Sequence, residues 1–193
     1  MDAPTSTGPQ KNVARSAAGS RIVLRIVFLA VSTGLVFVVT RLAQIPISVL
    51  NGQIFDLGDV MIFTFAWTFG PGVGALAGGV GSAISDASQL SPFAPFTFVI
   101  KGIEGFLAGY VAQRGSSWSM RISWVLASLA MVGGYFLTNS FVLGFGPLAG
   151  LYEVPFDILQ VIAGGLIGAP TSRYLRNALP AILGLRKETK PKA

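Results

Sequence analysis

The sequence predicts an all-α polytopic membrane protein, a bundle of six transmembrane helices. Two observations support this prediction. Of the 193 residues, 52% are hydrophobic and only 11% are charged, and the apolar residues form long runs instead of an amphipathic pattern. A chain of this length holds about six spans of ~20 residues with short loops. We therefore expect one helical bundle without a separate soluble domain.

Glycine and proline divide the chain into helices. Residues 1–20 are rich in small and polar residues and predict a disordered cytoplasmic tail. A six-helix membrane domain over residues 21–178 and a basic cytoplasmic tail over residues 179–193 are expected to follow. The predicted helices are Ile22 to Leu42, Gly58 to Phe69, Gly72 to Leu90, Phe96 to Gln113, Ile122 to Leu143 and Glu153 to Leu175.

Helix 2 and the segment before it are irregular. The segment 43–57 contains Pro46, Asn51 and Gly52 and is predicted to be a long outer loop that lies over the bundle as a lid. Helix 2 is ~18 Å long, whereas the hydrocarbon core of a membrane is ~30 Å thick. It must therefore start earlier, be sheltered by its neighbours, or be re-entrant.

The basic residues predict the orientation in a plasma membrane. With six spans, all but two of the 14 lysines and arginines fall on the side that holds both termini, and the exceptions are Arg41 and Lys101. The positive-inside rule makes that side cytoplasmic. This topology also explains the net charge of +6. Because the basic residues form no binding face with aromatic residues, we expect lipid around the bundle and no nucleic-acid partner.

The chain contains no cysteine and no histidine. Their absence excludes disulfides, thiol nucleophiles, imidazole bases and the usual ligands of zinc, haem and iron–sulfur clusters. We therefore expect neither a metal nor a cofactor.

Ionisable residues within apolar helices mark the predicted functional site, because charge is costly inside a bilayer. The helical rise places them in the outer half of the bundle, as expected for a pocket that is open to the exterior. The predicted substrate-binding residues are Lys101, Glu104, Asp86, Asn139, Asp59 and Asp157, with Phe96 and Tyr135 as rings that can stack on a flat ligand. Structural roles stay open: Lys101 can pair with Glu104 or Asp86, and Asp59 and Asp157 can sit at helix N-termini.

Small residues and tryptophans predict how the helices pack. Gly74, Gly78 and Ser82 form a row on helix 3 that lets backbones approach each other in a membrane. Ala30 and Gly34 form a similar row on helix 1, which can pack internally or dock a partner. Trp67, Trp118 and Trp124 are predicted to anchor the bundle at the cytoplasmic interface.

An ordered set of short motifs resembles one family. Gly58-Asp59-Val60 opens helix 2, Phe69-Gly70-Pro71 turns into a helix 3 that ends near Asp86, and Pro95 precedes helix 4 with Lys101-Gly102-Ile103-Glu104-Gly105 and Ala108-Gly109. This set is similar to the substrate-binding S components of energy-coupling factor (ECF) vitamin transporters. The resemblance covers residues 22 to 178 and is densest from 58 to 109.

The resemblance implies capture of a water-soluble vitamin or precursor from outside, with the riboflavin and hydroxymethylpyrimidine types favoured. It implies a transmembrane T component, which in the family meets a small-residue row at the position of Ala30 and Gly34. It also implies two cytoplasmic ATPase subunits, so ATP hydrolysis is not expected in this chain, which lacks a phosphate-binding Gly-rich loop with lysine.

Two other classes stay open from the residues alone. An intramembrane hydrolase would use Ser82 or Ser85 with Lys101, or Asp59 with Asp86. A stand-alone small-solute carrier would move its substrate without ATP.

Overall fold

The computed structural model describes residues 8–48 and 53–182 and contains, within them, the predicted six-helix bundle. The helices are α1 (Gly8–Leu42), α2 (Gly58–Phe69), α3 (Pro71–Ala87), α4 (Ala94–Ala112), α5 (Ser117–Leu137) and α6 (Pro147–Ile182). An antiparallel hairpin of β1 (Ile45–Ser48) and β2 (Gln53–Phe55) follows α1. A π-helical turn, Thr138–Val142, follows α5.

The first helix is longer than predicted. It begins at Gly8 and not at Ile22, so the structure has a helix over residues 8–20, where the sequence predicts a disordered tail. This stretch contains good helix formers such as Ala, Arg, Lys and Gln, and extending an existing apolar helix does not require a second nucleation step. Residues 1–7, and residues 183–193 of the predicted basic tail, lie outside the described residues, so the domain boundaries stay predictions.

The connections also differ from the prediction. The loop 43–57 contains the hairpin, and the pair Asn51-Gly52 between two apolar stretches is the sequence signal for it. Helix α6 begins at Pro147 instead of Glu153, because proline is well tolerated at the first helical position. The loop between α5 and α6 is therefore shorter than predicted.

Glycines bring α3 against α4. A Cβ atom at Gly78 would lie 2.8 Å from the carbonyl oxygen of Lys101, and one at Gly79 would lie 2.7 Å from that of Phe98. On the other side of α3, a Cβ atom at Gly81 would lie 2.8 Å from the carbonyl oxygen of Thr33 in α1. The predicted packing role of the small residues on α3 is confirmed, since no side chain fits at these contacts.

Helix α2 lies inside the bundle. Nine of its 12 residues are buried, and they contribute to both apolar cores. One core includes Phe63, Trp67, Ile100, Met131 and Val161, and the other includes Val36, Ile62, Phe65 and Ala77. The shortness of α2 is thus explained by its neighbours, which shelter it from lipid.

One predicted interface anchor is wrong. Trp67 is buried, and its Nε1 donates a hydrogen bond of 3.0 Å to Ser123 Oγ on α5. Because α2 is enclosed by the other helices, a tryptophan near its end faces protein and not the membrane surface. Trp118, in contrast, is exposed.

Among the described residues, three segments are long and apolar enough to cross a membrane on their own. They are Ile22–Leu42, Ser117–Val142 and Pro147–Leu179. Helix α2 is apolar but short, and α4 carries Lys101 and Glu104. The described bundle therefore combines long apolar helices with shorter ones, and buried polar residues lie on both kinds, such as Lys101 on α4 and Asp157 on α6.

Candidate functional site

A buried ion cluster joins α2 to α4. The Nζ atom of Lys101 pairs with Asp59 Oδ1 and lies 3.2 Å from Glu104 Oε2. The side chain of Lys101 is 3% exposed and both carboxylates are fully buried. Asp59 comes from the first turn of α2, and Lys101 and Glu104 lie three residues apart on α4. The predicted pairing of Lys101 with Glu104 is therefore confirmed, and Asp59 joins it.

A second chain of contacts connects α3, α4 and α5. The hydroxyl of Tyr135 donates to Thr97 Oγ1 at 3.1 Å, and Thr97 donates to Asp86 Oδ2 at 2.5 Å. The ring of Tyr135 lies 5.6 Å from Lys101 Nζ, within the range of a cation–π interaction. Asp86 is thus held by Thr97, and the considered pairing of Asp86 with Lys101 is not formed.

The π-helical turn supplies the third part of the site. Asn139 lies in this turn and donates from Nδ2 to Glu153 Oε2 at 2.7 Å. Asp157 follows Glu153 by one turn of α6, is buried, and interacts electrostatically with Glu153, Lys101 and Asp59. Single π-helical turns within helices are frequent at functional sites. Here the turn directs an amide towards the carboxylates of α6.

Carboxylates outnumber cations at this end of the bundle. The described residues contain six carboxylates, all at this end: Asp56, Asp59, Asp86, Glu104, Glu153 and Asp157. Both salt bridges found among the described residues involve Lys101. The site is therefore rich in acceptors and is suited to a ligand with many hydrogen-bond donors or a positive charge.

Several buried side-chain oxygens have no hydrogen-bond partner within the described part of the chain, and four of them are carboxylate or amide oxygens of this cluster that no salt bridge engages. These four are Asp59 Oδ2, Glu104 Oε1, Asn139 Oδ1 and Asp157 Oδ2. An unpaired buried polar atom costs about 1–3 kcal/mol, and such atoms are rare in proteins. Four of them on three sides of one cluster indicate a place where a ligand supplies donors.

The hairpin and the residues after it lie beside this end. Asp56 follows β2, is buried, and accepts a 2.6 Å hydrogen bond from the backbone N–H of Gly58. Burial raises the pKa of the Asp56 carboxyl to about 7; Lys101 opposes this increase and Asp59 adds to it. A cleft of about 420 Å³ separates the hairpin from α6 and is lined by Ile45, Pro46, Phe55, Tyr152, Phe156 and Leu159.

The structure brings most of the predicted site residues together. Six are buried in or beside the cluster: Lys101, Glu104, Asn139, Asp59, Asp157 and Tyr135. Asp86 and Phe96 are half-buried, and Phe96 packs against the apolar core. The prediction missed Thr97, Glu153 and Gln160, which are also buried. Helical spacing is the signal for the first two, since Thr97 is one turn before Lys101 and Glu153 is one turn before Asp157.

The two hydrolase arrangements are not formed in the described part of the chain. Ser85 Oγ accepts a 3.1 Å hydrogen bond from Gln44 Nε2, and the contacts of Lys101 are to carboxylates and to the Tyr135 ring. Asp59 and Asp86 have different partners. Neither a serine–lysine pair nor an aspartyl pair is therefore in place.

A helical membrane bundle with a buried, acceptor-rich polar cluster defines a membrane-embedded solute-binding protein. Comparison with known proteins identifies the family within this class. The family model of the ECF-type riboflavin transporter S component matches residues 21–177. The chain therefore belongs to this family, and its predicted function, capture of a vitamin or vitamin precursor for ECF transport, is confirmed.

Two curated proteins match the chain over most of its length. The chain is 38% identical, over 77% of its length and 99% of the relative, to an uncharacterized protein of the gap 3' region of Pyrococcus woesei. It is 35% identical, over 72% of its length and 80% of the relative, to the thiamine precursor transporter HmpT of Lactococcus lactis subsp. cremoris (strain MG1363).

A solved structure shares the fold. It is the S component of a bacterial ECF transporter, and it matches with a TM-score of 0.66 over 80% of this chain and 96% of that one at 23% identity. This likeness confirms the predicted helical membrane bundle.

Proposed function

We propose that the chain captures a hydroxymethylpyrimidine-type vitamin precursor at the acceptor-rich cluster, from the outer side of the plasma membrane. The observation that carries this proposal is the set of four unpaired buried acceptors. An aminopyrimidine bears an exocyclic amino group with two N–H donors, a hydroxyl group, and a ring nitrogen that gains a proton beside a carboxylate. The relative HmpT, named as a thiamine precursor transporter, supports the same class.

Each predicted site residue has a proposed role. Glu104, Asn139, Asp59 and Asp157 present acceptors to the ligand. Lys101 holds Asp59 and Glu104 in place, and Tyr135 and Phe96 contact the flat ring. Asp86 fixes Thr97, which orients Tyr135. The hairpin serves as the lid predicted for the loop 43–57.

The charge balance of the site disfavours anionic derivatives of the ligand. With six carboxylates and Lys101 as the cation paired with them in the described residues, a phosphate or carboxylate on the ligand would meet like charges in a buried setting. Like charges in a poorly solvated site repel strongly. The free alcohol should therefore bind, and its phosphate ester should not.

Riboflavin is the second candidate, because the matching family model is that of the riboflavin S component. Riboflavin offers imide and hydroxyl donors but has no group that becomes cationic near neutral pH. A measured preference between the two compounds therefore distinguishes the candidates.

The proposed transport partners are a transmembrane T component and two cytoplasmic ATPase subunits, with both termini of this chain in the cytoplasm. Ala30 and Gly34 support a docking role for α1. Both are exposed, and a Cβ atom at Gly34 would have no described atom within 4 Å. This row does not pack internally, so it is available to another protein in the membrane.

The test is isothermal titration calorimetry on the purified full-length protein with hydroxymethylpyrimidine, its phosphate, thiamine and riboflavin. We expect hydroxymethylpyrimidine to bind most tightly. Asp157→Asn should weaken it by about 10- to 100-fold, as expected for a lost hydrogen bond to a charged group. Thr171→Val, at the far end of the same helix, is the control and should bind as the wild type does.

Three outcomes contradict the proposal. Tight binding of the phosphate ester would refute the role of the carboxylates. Binding of riboflavin alone would favour the second candidate. An unchanged affinity in Asp157→Asn would remove this residue from the site.

A further inference from the structure

A second cavity lies between α5 and α6 at the end of the bundle opposite the carboxylates. Its volume is about 510 Å³. Its walls are apolar and include Met120, Trp124, Ile162 and Leu166, and its rim carries Ser117, Arg121 and Arg173. The proposed substrate site does not use this cavity, which we call the α5–α6 cleft.

Two hydrogen-bonded indoles fix the shape of the α5–α6 cleft. Trp124 Nε1 donates to the backbone oxygen of Val161 at 2.8 Å, and Trp67 at the floor donates to Ser123 at 3.0 Å. A Cβ atom at Gly165 would lie 2.7 Å from Trp124 Nε1. A glycine is therefore needed for the Trp124 ring to lie against α6, and the cleft is a built feature of the helix pair.

The two rim arginines have no carboxylate partner in the described part of the chain. Both salt bridges there involve Lys101, and all six described carboxylates lie at the other end. The guanidinium of Arg121 lies 5.2 Å from the centre of the Trp118 ring. Two exposed cations thus lie beside an apolar cavity without an anion from the described bundle.

The α5–α6 cleft also faces the surface that meets lipid. Leu166 on its wall is 73% exposed, and both α5 and α6 are long, apolar membrane-spanning helices. An occupant must therefore have an anionic group for the rim and an apolar part for the walls, and it must be available within the bilayer.

We propose that the α5–α6 cleft binds an anionic phospholipid. The phosphate lies between Arg121 and Arg173, and an acyl chain lies against Trp124 and Leu166. Guanidinium groups form paired hydrogen bonds with phosphate oxygens, and basic pockets between transmembrane helices at the cytoplasmic side are suited to acidic headgroups. A partner protein could supply a carboxylate for the rim, but the combination of charge and apolar depth matches a lipid.

The experiment uses the full-length protein with Trp118→Phe, which removes the exposed tryptophan. The protein is reconstituted in phosphatidylcholine vesicles that contain a minor fraction of phosphatidylglycerol, and bromine is placed on the acyl chains of one lipid or the other. Bromine quenches a tryptophan that it contacts. The two remaining tryptophans, Trp124 and Trp67, both line the cleft, so their quenching reports the lipid in the cleft. Arg121→Gln/Arg173→Gln is the test variant. Arg114→Gln/Arg176→Gln removes the same charge from exposed positions outside the cleft and is the matched control.

We expect brominated phosphatidylglycerol to quench more than its share of the lipid predicts. The test variant should reduce this preference by roughly 30-fold, because each basic residue near an anionic membrane contributes about fivefold. The control variant should retain the preference. Inorganic phosphate should not compete, because it lacks the acyl chain.

Several results would overturn the proposal. Equal quenching by the two lipids would show that the cleft has no preference for an anionic lipid. An equal loss in the control variant would show a general surface-charge effect. Competition by inorganic phosphate would show an anion site that does not need lipid. If lipid preference is absent but the test variant no longer copurifies with partner subunits, the arginines bind protein.

Discussion

Removal of the buried cation is the most direct test of the ion cluster. In Lys101→Met, the apolar part of the side chain is kept, while Asp59 and Glu104 lose the charge that they share. Both carboxylates are fully buried, so neither can be solvated in its place. We therefore expect this variant to be much less stable than the wild type.

The magnitude follows from the geometry. At the 3.2 Å separation of Lys101 Nζ and Glu104 Oε2, Coulomb's law with an effective dielectric constant of about 20 gives roughly 5 kcal/mol for this pair. Desolvation of the lysine offsets part of this energy, and the loss of one partner from a buried pair typically costs about 3–5 kcal/mol. For a chain of this size the expected decrease in Tm is roughly 10 °C.

The assay is thermal unfolding of the detergent-purified protein, followed by tryptophan fluorescence. Asp59→Asn added to Lys101→Met should recover about half of the lost stability, because it removes one of the two unpaired carboxylates. Arg176→Met removes an exposed cation and should change the free energy of unfolding by less than about 0.5 kcal/mol. If Lys101→Met were as stable as Arg176→Met, or if Asp59→Asn gave no recovery, the cluster would not stabilise the bundle.

Three further predictions concern packing, docking and pH. Gly78→Ala should destabilise the bundle by about 1–3 kcal/mol, since the new methyl group meets the Lys101 carbonyl oxygen at 2.8 Å. Gly72→Ala is the control in the same thermal melts, because a Cβ atom there has open space around it. Equal effects of the two substitutions would contradict the packing argument. Gly34→Leu should keep ligand affinity and lower the yield of copurified T component; an unchanged yield would exclude this face. Because burial raises the Asp56 pKa to about 7 from 3.8, folding binds a proton between these values. The free energy of unfolding should then fall by up to about 1.4 kcal/mol per pH unit as pH rises towards 7. Asp56→Asn should flatten this pH dependence in thermal melts. If the stabilities of the wild type and of Asp56→Asn changed with pH by the same amount, the prediction would be wrong.

The six helices were predictable because glycine and proline separate their apolar runs, although the starts of α1 and α6 were not predicted. Helix α2 agrees at both ends, where Gly58-Asp59 opens it and Gly70-Pro71 follows it. The hairpin was missed because its strands have four and three residues, too short for a clear alternating pattern. The π-helical turn at Thr138–Val142 has no distinct composition, and its contact with α6, where Asn139 bonds to Glu153, is between residues distant in sequence.

The sequence predicted which residues form the buried cluster better than it predicted which of them pair with each other. Charges in apolar helices are few, so their presence alone identified Lys101, Glu104 and Asp59. Which carboxylate pairs with Lys101 depends on the rotation of α2 about its axis and on the depth at which α2 begins in the bundle. Contacts with other helices set both, such as the contact with Gly164 on α6, where a Cβ atom would lie 3.1 Å from Asp59 Cβ. Such contacts between distant helices cannot be inferred from a single sequence.

The glycine contacts between α3 and α4 limit how a captured molecule can leave. Interfaces made of side chains slide past each other through small changes of rotamer, but at Gly78 and Gly79 a helix backbone lies directly on the other backbone, and no side chain there can adjust. We expect α3 and α4 to move as one rigid body. If Lys101 and Glu104 hold the substrate as proposed, we expect access to them to change through the hairpin, through α6, or through a turn of the whole bundle in the membrane. The packed pair α3–α4 would then keep its shape while the substrate leaves.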